Sequence, residues 1–330
     1  MLERKITNSN VLVTGAAGFI GSSLVEDLLQ HDNKVVALDN LSTGFERNVN
    51  EFKDHPNYQF INGDIRDLES CKLAVKGAQY VLHQAALGSV PRSIKDPITT
   101  NEVNVNGFLN MLVASRDEGV QRFVYATSSS VYGDEKRLPK VEAKIGKPLS
   151  PYAVSKGVNE QYARVFGDLY GLENIGLRYF NVFGARQDPD GAYAAAIPKF
   201  VRHFIDHESP TIHGDGTQSR DFTYIDNVIQ ANHIAALSTN PVALNETYNV
   251  AYGESTNLDE LVEVLKELLS EFDPAIADVD VKYGPERIGD VRHSLASIVK
   301  ASTILGYKPE YDLRQGLERA IKWYWENLKS

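Results

Sequence analysis

Tyr152 and Lys156 stand four residues apart in the run Ser150-Pro151-Tyr152-Ala-Val-Ser-Lys156. A serine able to cap and a proline suited to the first turn predict that a helix starts here. Residues four apart on a helix share a face. A phenol ordinarily titrates near ~10, too high for a base at neutral pH, and a neighbouring ammonium favours the phenolate. The pair therefore has the makings of a proton-transfer centre. The spacing recurs at Tyr132 and Lys136, but that pair straddles Gly133 and precedes Pro139, so no helix is expected through it. A third group lies close by in type: Thr127-Ser128-Ser129-Ser130 directly follows the strand-like Phe123-Val-Tyr-Ala126. A hydroxyl from Ser128 at a strand's carboxyl end could bond both Tyr152 and a reacting oxygen.

A second cluster explains what such a base would act beside. Val11-Leu-Val-Thr14 runs at once into Gly15-Ala-Ala-Gly18-Phe-Ile-Gly21, and the turn opens a helix-periodic stretch. Glycines permit a tight turn and close backbone approach to a pyrophosphate, and the helix N-terminus directs free N–H groups at it. Strand before, helix after and an acid beyond complete a dinucleotide-binding pattern. The acid is Asp39, which ends the next strand-like run; it can accept from both ribose hydroxyls and would repel a 2′-phosphate, so NAD is expected rather than NADP. Asp64, after a third such run, could meet the adenine. Ala85 and Ala86 follow a fourth, where small side chains leave room for the cofactor. A cationic nicotinamide would further favour the Tyr152 phenolate, and Lys156 can hold the nicotinamide ribose.

These residues need a scaffold that brings strand ends together. Strands are expected at residues 11–13, 34–38, 58–62, 80–83, 122–126 and 174–179. Helices are expected at 19–30, 68–75, 103–118 and 152–169. Strand–helix alternation of this kind predicts a doubly wound parallel α/β sheet, whose ligands bind beyond the carboxyl ends of the strands. After Asn181 the texture changes: Gly, Pro and Asp cluster at 184–191, and amphipathic helices are expected at 258–272 and 313–328. Residues 1–180, joined by part of 218–252, read as the dinucleotide-binding domain and 181–330 as a smaller substrate lobe.

Composition narrows the partners. A formal charge of −10 over 330 residues disfavours nucleic acid, whose binding needs concentrated Lys and Arg. One cysteine, Cys71, excludes an intramolecular disulfide and suits a reducing compartment. Nothing beside it resembles an activating base, so it reads as a packing residue. Met1–Asn10 lacks the apolar stretch of a secretory signal, and no run approaches the ~20 apolar residues of a membrane span. A cytoplasmic protein is expected, with no metal ligand set.

The Gly15/Gly18/Gly21 spacing, the set Ser128, Tyr152 and Lys156, and the segment Tyr179-Phe-Asn181-Val-Phe-Gly184 resemble the extended short-chain dehydrogenases/reductases. From end to end the chain resembles their nucleotide-sugar 4-epimerases, most of all bacterial UDP-N-acetylglucosamine 4-epimerases. Ala86-Leu-Gly-Ser-Val-Pro-Arg-Ser93, Ala185-Arg-Gln-Asp-Pro189, Gly191-Ala-Tyr-Ala-Ala195 and Arg287-Ile-Gly-Asp-Val-Arg-His-Ser294 carry that subgroup. The resemblance implies a Rossmann-type sheet with a mixed α/β C-terminal lobe, bound NAD, a UDP-sugar substrate and a homodimer built on the helices at 103–118 and 152–169. It makes Ser128, Tyr152 and Lys156 catalytic. It extends the cofactor contacts to Phe19, Ile20, Asn40, Ser42, Thr43, Gly44, Ile65, Gln84, Tyr179 and Val182. Asn181, Arg220 and Arg287, with Asp290, would hold UDP, and arginine's fork suits a diphosphate. Gly88, Ser89, Ser129, Gln187 and Ala195 would line the sugar pocket. Ser294 would sit beside the C2 substituent, where a small residue leaves room for an N-acetyl group.

The expected reaction is inversion at C4. Tyr152 takes the 4-hydroxyl proton while the C4 hydride goes to NAD; the 4-keto sugar turns over, and hydride returns to its other face. UDP-N-acetylglucosamine is the expected substrate, with UDP-glucose also open. Epimerisation of UDP-glucuronic or an acetamido uronic acid is the alternative, with Arg92 and Ser89 as partners for a 6-carboxylate. A 4,6-dehydratase would carry Thr-Asp-Glu where this chain has Ser128-Ser129-Ser130. A non-catalytic NAD-binding sensor or scaffold is the reading from another class.

Overall fold

The computed structural model describes residues 4–188, 195–285 and 292–328. Seven strands form one sheet: β1 (Asn10–Thr14), β2 (Lys34–Asp39), β3 (Tyr58–Asn62), β4 (Tyr80–His83), β5 (Arg122–Ser128), β6 (Asn174–Tyr179) and β7 (Glu246–Val250). Their order is β3-β2-β1-β4-β5-β6-β7, and every neighbouring pair is parallel. Such a sheet needs both faces covered, and period-2 alternation supplies them. Val11 and Val13 face one core with Leu24, Val25 and Leu28 of α1 (Phe19–Gln30). Leu12 faces the other, with Cys71, Ala74 and Val75 of α2 (Leu68–Val75) and Phe108, Met111 and Leu112 of α3 (Phe108–Glu118). Full burial of each such side chain contributes roughly 1.5–3 kcal/mol. The chain order reverses between β1 and β4, which opens a crevice at their carboxyl ends.

The six strands read from sequence appear within a residue or two of their expected bounds. The seventh, β7, was not read as a strand; it pairs with β6 from Glu246↔Ile175 to Val250↔Tyr179. The segment expected as a helix from Val103 starts instead as a π-helical turn over Glu102–Gly107 and becomes α-helical only at Phe108.

Helix α4 (Pro151–Tyr170) carries Tyr152 and Lys156. Ser150 Oγ accepts from the Ala153 N–H at 3.1 Å, and Gly171 ends the helix in the left-handed conformation. Beyond β6 come α5 (Ala196–Ile205), α6 (Ile225–Ala236), α7 (Leu258–Ser270) and α8 (Leu313–Asn327). Neither α5 nor α6 was anticipated, although Ile197, Phe200, Val201 and Phe204 show helical spacing. Capping boxes start α7 (Asn257 with Glu260) and α8 (Asp312 with Gln315). Short two- and three-residue strands complete this region: 182–183 with 223–224, 219–220 with 256–257, and 211–213 with 282–284. Its apolar side chains join the core on one face of the main sheet. Among the described residues no helix is long and apolar enough to cross a membrane.

Candidate active site

Because all seven strands are parallel, the loops after β1 to β6 leave the sheet on one side, and these loops hold most of the expected residues. After β1, Gly15 adopts φ +67°, and a Cβ there would lie 2.7 Å from Ala85 N. A Cβ on Gly21 would overlap the Gly15 carbonyl oxygen. Both positions therefore require glycine. No side chain caps the N-terminus of α1 and no acid lies in its first turn, so its free N–H groups suit an anion. Gly44 packs on Ala17, and the Phe45 N–H and Asn48 amide both donate to Ala17 O, which lays the Asn40–Gly44 loop beside the turn.

Asp39 ends β2 as expected. Its carboxylate accepts from the N–H groups of Ala17 at 3.0 Å and Leu41 at 2.7 Å; burial outweighs these bonds and raises its pKa. Asp64 follows β3 as expected, with its carboxylate partly exposed. Arg66 pairs with it at 2.7 Å and Asn40 donates to it at 2.8 Å, holding its carboxyl near a pKa of about 2. Ile65 is buried against the bare Cα of Gly107. Gln84 and Tyr179 join Asn232 of α6 in a hydrogen-bonded group below the strand ends. The Ala85 N–H donates to Thr14 Oγ1.

Ser128 ends β5, and Tyr152 stands in the first turn of α4. Two causes act on the phenol: burial raises its pKa, and a hydrogen bond with Ser128 lowers it. Lys156 Nζ lies 6.0 Å from the Tyr152 ring centroid and donates to Ala126 O at 2.9 Å. Burial pushes Lys156 down to about 8, against Glu160, which raises it. This corrects the expectation of a phenol already made acidic by its lysine: desolvation dominates, and the ammonium is turned to a strand carbonyl. Beside the lysine, His83 is fully buried and pushed down to about 3, so it is neutral. The decoy pair separates as expected: Tyr132 is buried and donates to Asn249 at 2.6 Å, while Lys136 is exposed beyond Gly133. Cys71 is buried with its thiol pushed up to about 12.

Asn181, Val182, Ala195 and Arg220 line one cavity of about 340 Å³. Asn181, at φ +30°, donates to Asp221 O, and Arg220 donates to Ser219 O and Arg292 O. Lys199, His203 and Phe200 of α5, with His213 and Gln218, also line it. Sequence reasoning missed these, because neither α5 nor the short strands at 211–213 and 219–220 were recognised as elements. Ser294 lies one strand away, its N–H donating to Ser219 O. Ser89, at φ +97°, accepts from the Arg92 N–H and so starts a short helix over Val90–Lys95. Gly88 precedes it, with open space where a Cβ would stand. Ser129 begins a 3-10 turn after β5. Gln187 donates to Val182 O, and its side-chain carbonyl is buried with no hydrogen bond from the described residues. Arg287 and Asp290 lie outside the described residues.

The sequence profile of the NAD-dependent epimerase/dehydratase family matches residues 11–251. The chain belongs to that family. A UDP-N-acetylglucosamine 4-epimerase from Methanobrevibacter ruminantium, solved with UDP-N-acetylmuramic acid, is 40% identical, with TM-score 0.90 over 97% of this chain and 99% of that one. The Thermotoga maritima UDP-glucose 4-epimerase, solved with UDP-glucose, is 34% identical, with TM-score 0.88 over 97% and 100%. The Bacillus cereus UDP-glucuronic acid 4-epimerase, solved with UDP-glucuronic acid and NAD, is 30% identical, with TM-score 0.85 over 96% and 99%. NAD is the cofactor of the family, and this chain's own residues fit it. The turn is tightened by glycines at 15, 18 and 21, α1 is uncapped, and Asp39 is held ready at the next strand end.

Proposed function

We propose that this member of the epimerase/dehydratase family inverts C4 of a UDP-sugar, with UDP-N-acetylglucosamine and UDP-N-acetylgalactosamine as its substrate pair. The observation that carries the reading is the joining of Ser128 to Tyr152 at the end of β5, with Lys156 one turn along α4. This set lies on the same side of the sheet as the glycine turn, and the cavity of Asn181 and Arg220 opens after β6. Likeness to the Methanobrevibacter enzyme supports the N-acetyl sugar, as does the small side chain of Ser294.

When bound, NAD supplies the hydride acceptor and later the donor. The protein's part is proton handling and orientation. Tyr152 accepts the 4-hydroxyl proton, which the buried and elevated phenol does only as its phenolate; the hydrogen bond with Ser128 and the positive charge of the oxidised cofactor favour that form, and Lys156 is placed to hold the nicotinamide ribose. Ser128 bridges the sugar oxygen and the phenol. Arg220 and Asn181, with Arg287 and Asp290, anchor the diphosphate and nucleoside, so the 4-keto sugar is free to turn over while its carrier stays fixed. Glycines 15, 18 and 21 with Asp39 seat the cofactor.

A second copy of the chain is the proposed partner. Val154, Tyr162, Val165 and Leu169 form an exposed apolar stripe along α4, and Ile94 and Ile98 are exposed nearby. One free buried cysteine suits a reducing compartment, so the cytoplasm is the proposed setting.

The test is purified protein with NAD and UDP-N-acetylglucosamine, UDP-glucose and UDP-glucuronic acid in turn. Isomers of unchanged mass are expected, fastest with the N-acetyl sugar, and none from Tyr152→Phe, which should still bind NAD. A product lighter by water or carbon dioxide, or full activity in Tyr152→Phe, would remove the reading. Preference for the uronic acid would move the substrate to the reading that Arg92 and Ser89 favour.

A further inference from the structure

Glu160 lies one helical turn beyond Lys156 and four residues on, so both side chains leave the same face of α4. Its carboxylate is mostly buried and has two sets of partners. Thr127 Oγ1 donates to it at 2.8 Å. Arg178 donates through Nε at 2.9 Å and through Nη2 at 2.7 Å, a forked pair in which both side chains are shielded. Thr127 and Arg178 are register partners on β5 and β6, so one carboxylate clasps two adjacent strands immediately before Ser128 and Tyr179.

A surface-type ion pair would not need this arrangement. Burying an ion pair costs several kcal/mol per charge, and apolar replacements of similar volume are often as stable. We propose that Glu160 is a positioning residue of the catalytic centre: its carboxylate anchors the end of β5 through Thr127 and sets a fixed negative charge facing Lys156. The inference rests on the catalytic assignment of Tyr152 and Lys156 above.

The neighbourhood makes Glu160 the partner that Lys156 feels. Lys156 meets neutral His83 from β4, the phenol of Tyr152 on its own helix and the Ala126 carbonyl on β5. Among the described charged groups, Glu160 is the one that favours the ammonium of Lys156, working against burial. Arg178 on β6 is held on the carboxylate, and its Nη1 goes to Tyr132 and Glu142 O. Tyr125 on β5 feels both Glu160 and Arg178. Glu142, Arg164, Glu246 and Lys300 line the outer cavity on which Glu160 and Arg178 open; Lys300 is paired with Glu246 at 2.7 Å.

The experiment has two readouts. One is the pH profile of kcat/KM in the NAD-loaded enzyme, which reports groups of the free enzyme. The other is the titration of Lys156 by NMR of 13C-ε-lysine, which needs no turnover. Glu160→Gln isolates a buried arginine and can fail to fold, so the decisive variant is Glu160→Leu with Arg178→Met, which removes both charges and keeps the volume. The double variant should lower the Lys156 titration by about one unit and carry the alkaline limb of kcat/KM down with it. Thr127→Val tests the anchor alone. It should cut kcat roughly threefold to tenfold, the scale of one lost hydrogen bond, with KM and the Lys156 titration unmoved. A folded double variant whose Lys156 titrates as in wild type would overturn the electrostatic half, and an unchanged kcat in Thr127→Val would overturn the anchoring half. If the wild-type chain turns over no UDP-sugar, the functional reading falls, while the NMR titration still decides whether Glu160 acts on Lys156.

Discussion

At the scale of single residues, the centre carries a stability cost that reveals its purpose. Lys156 is nearly inaccessible to water, and its pKa is depressed from the ordinary 10.5 to about 8. Between these values the unfolded chain binds more protons than the folded one, so stability rises with pH across roughly 8 to 10.5, and below pH 8 the full penalty is present. That penalty is about 3 kcal/mol. Loss of the bond to Ala126 O costs about 1 kcal/mol in return. Lys156→Met should therefore raise Tm at pH 7, have a smaller effect at pH 10, and abolish turnover; thermal melts at the two pH values with a parallel product assay check this. A lower Tm at pH 7 would show that the ammonium is not a stability cost. Ser294 makes a second prediction at this scale. Ser294→Tyr should reduce kcat/KM for UDP-N-acetylglucosamine at least tenfold relative to UDP-glucose, because one overfilled contact costs about 1–3 kcal/mol. Equal losses on both sugars would place Ser294 away from the C2 substituent.

At the scale of elements, the glycine turn and α4 do different work. Gly21 lets α1 start against the Gly15 carbonyl, and a Cβ there displaces backbone rather than a flexible side chain. Gly21→Ala should weaken NAD binding by an order of magnitude or more and lower Tm, whereas Gly77→Ala, a positive-φ turn with open space around it, should lower Tm alone. Calorimetric NAD titration separates the two. Helix α4 serves three functions from two faces. It presents Tyr152 and Lys156 to the site, clasps Thr127 and Arg178 through Glu160, and exposes an apolar stripe outward. Its twenty residues, capped by Ser150 and closed by Gly171, form a rod long enough for all three.

At the scale of the molecule, the chain's return to the sheet matters most. After β6 it builds the cavity of Asn181 and Arg220 from α5 and the short strands, then comes back through α6 to lay β7 beside β6. The region beyond residue 181 and the sheet therefore share one apolar core. The outward stripe predicts association. Val165→Glu should convert a dimer to a monomer in light scattering at micromolar concentration; a wild-type chain that is monomeric throughout would remove the proposed partner.

Short-range spacing was enough to place the glycine turn, Asp39, Ser128, Tyr152 and Lys156, because each is defined by backbone geometry within a few residues of a strand end or helix start. Six of the seven sheet strands were legible for the same reason, as compact apolar runs with turn residues beside them. What only the tertiary structure decided are contacts made across long stretches of chain. Asp64 accepts from Asn40 of the preceding strand's loop, and Tyr132 belongs to a buried network with Arg178 and Asn249. Lys199 and His203 of α5 and His213 of a separate short strand reach one cavity. The Tyr152 phenol is governed by burial rather than by its neighbour in sequence. Local pattern specifies which groups are offered at a strand end, but desolvation and hydrogen-bond partners depend on what packs around them, and that is settled only when distant segments meet.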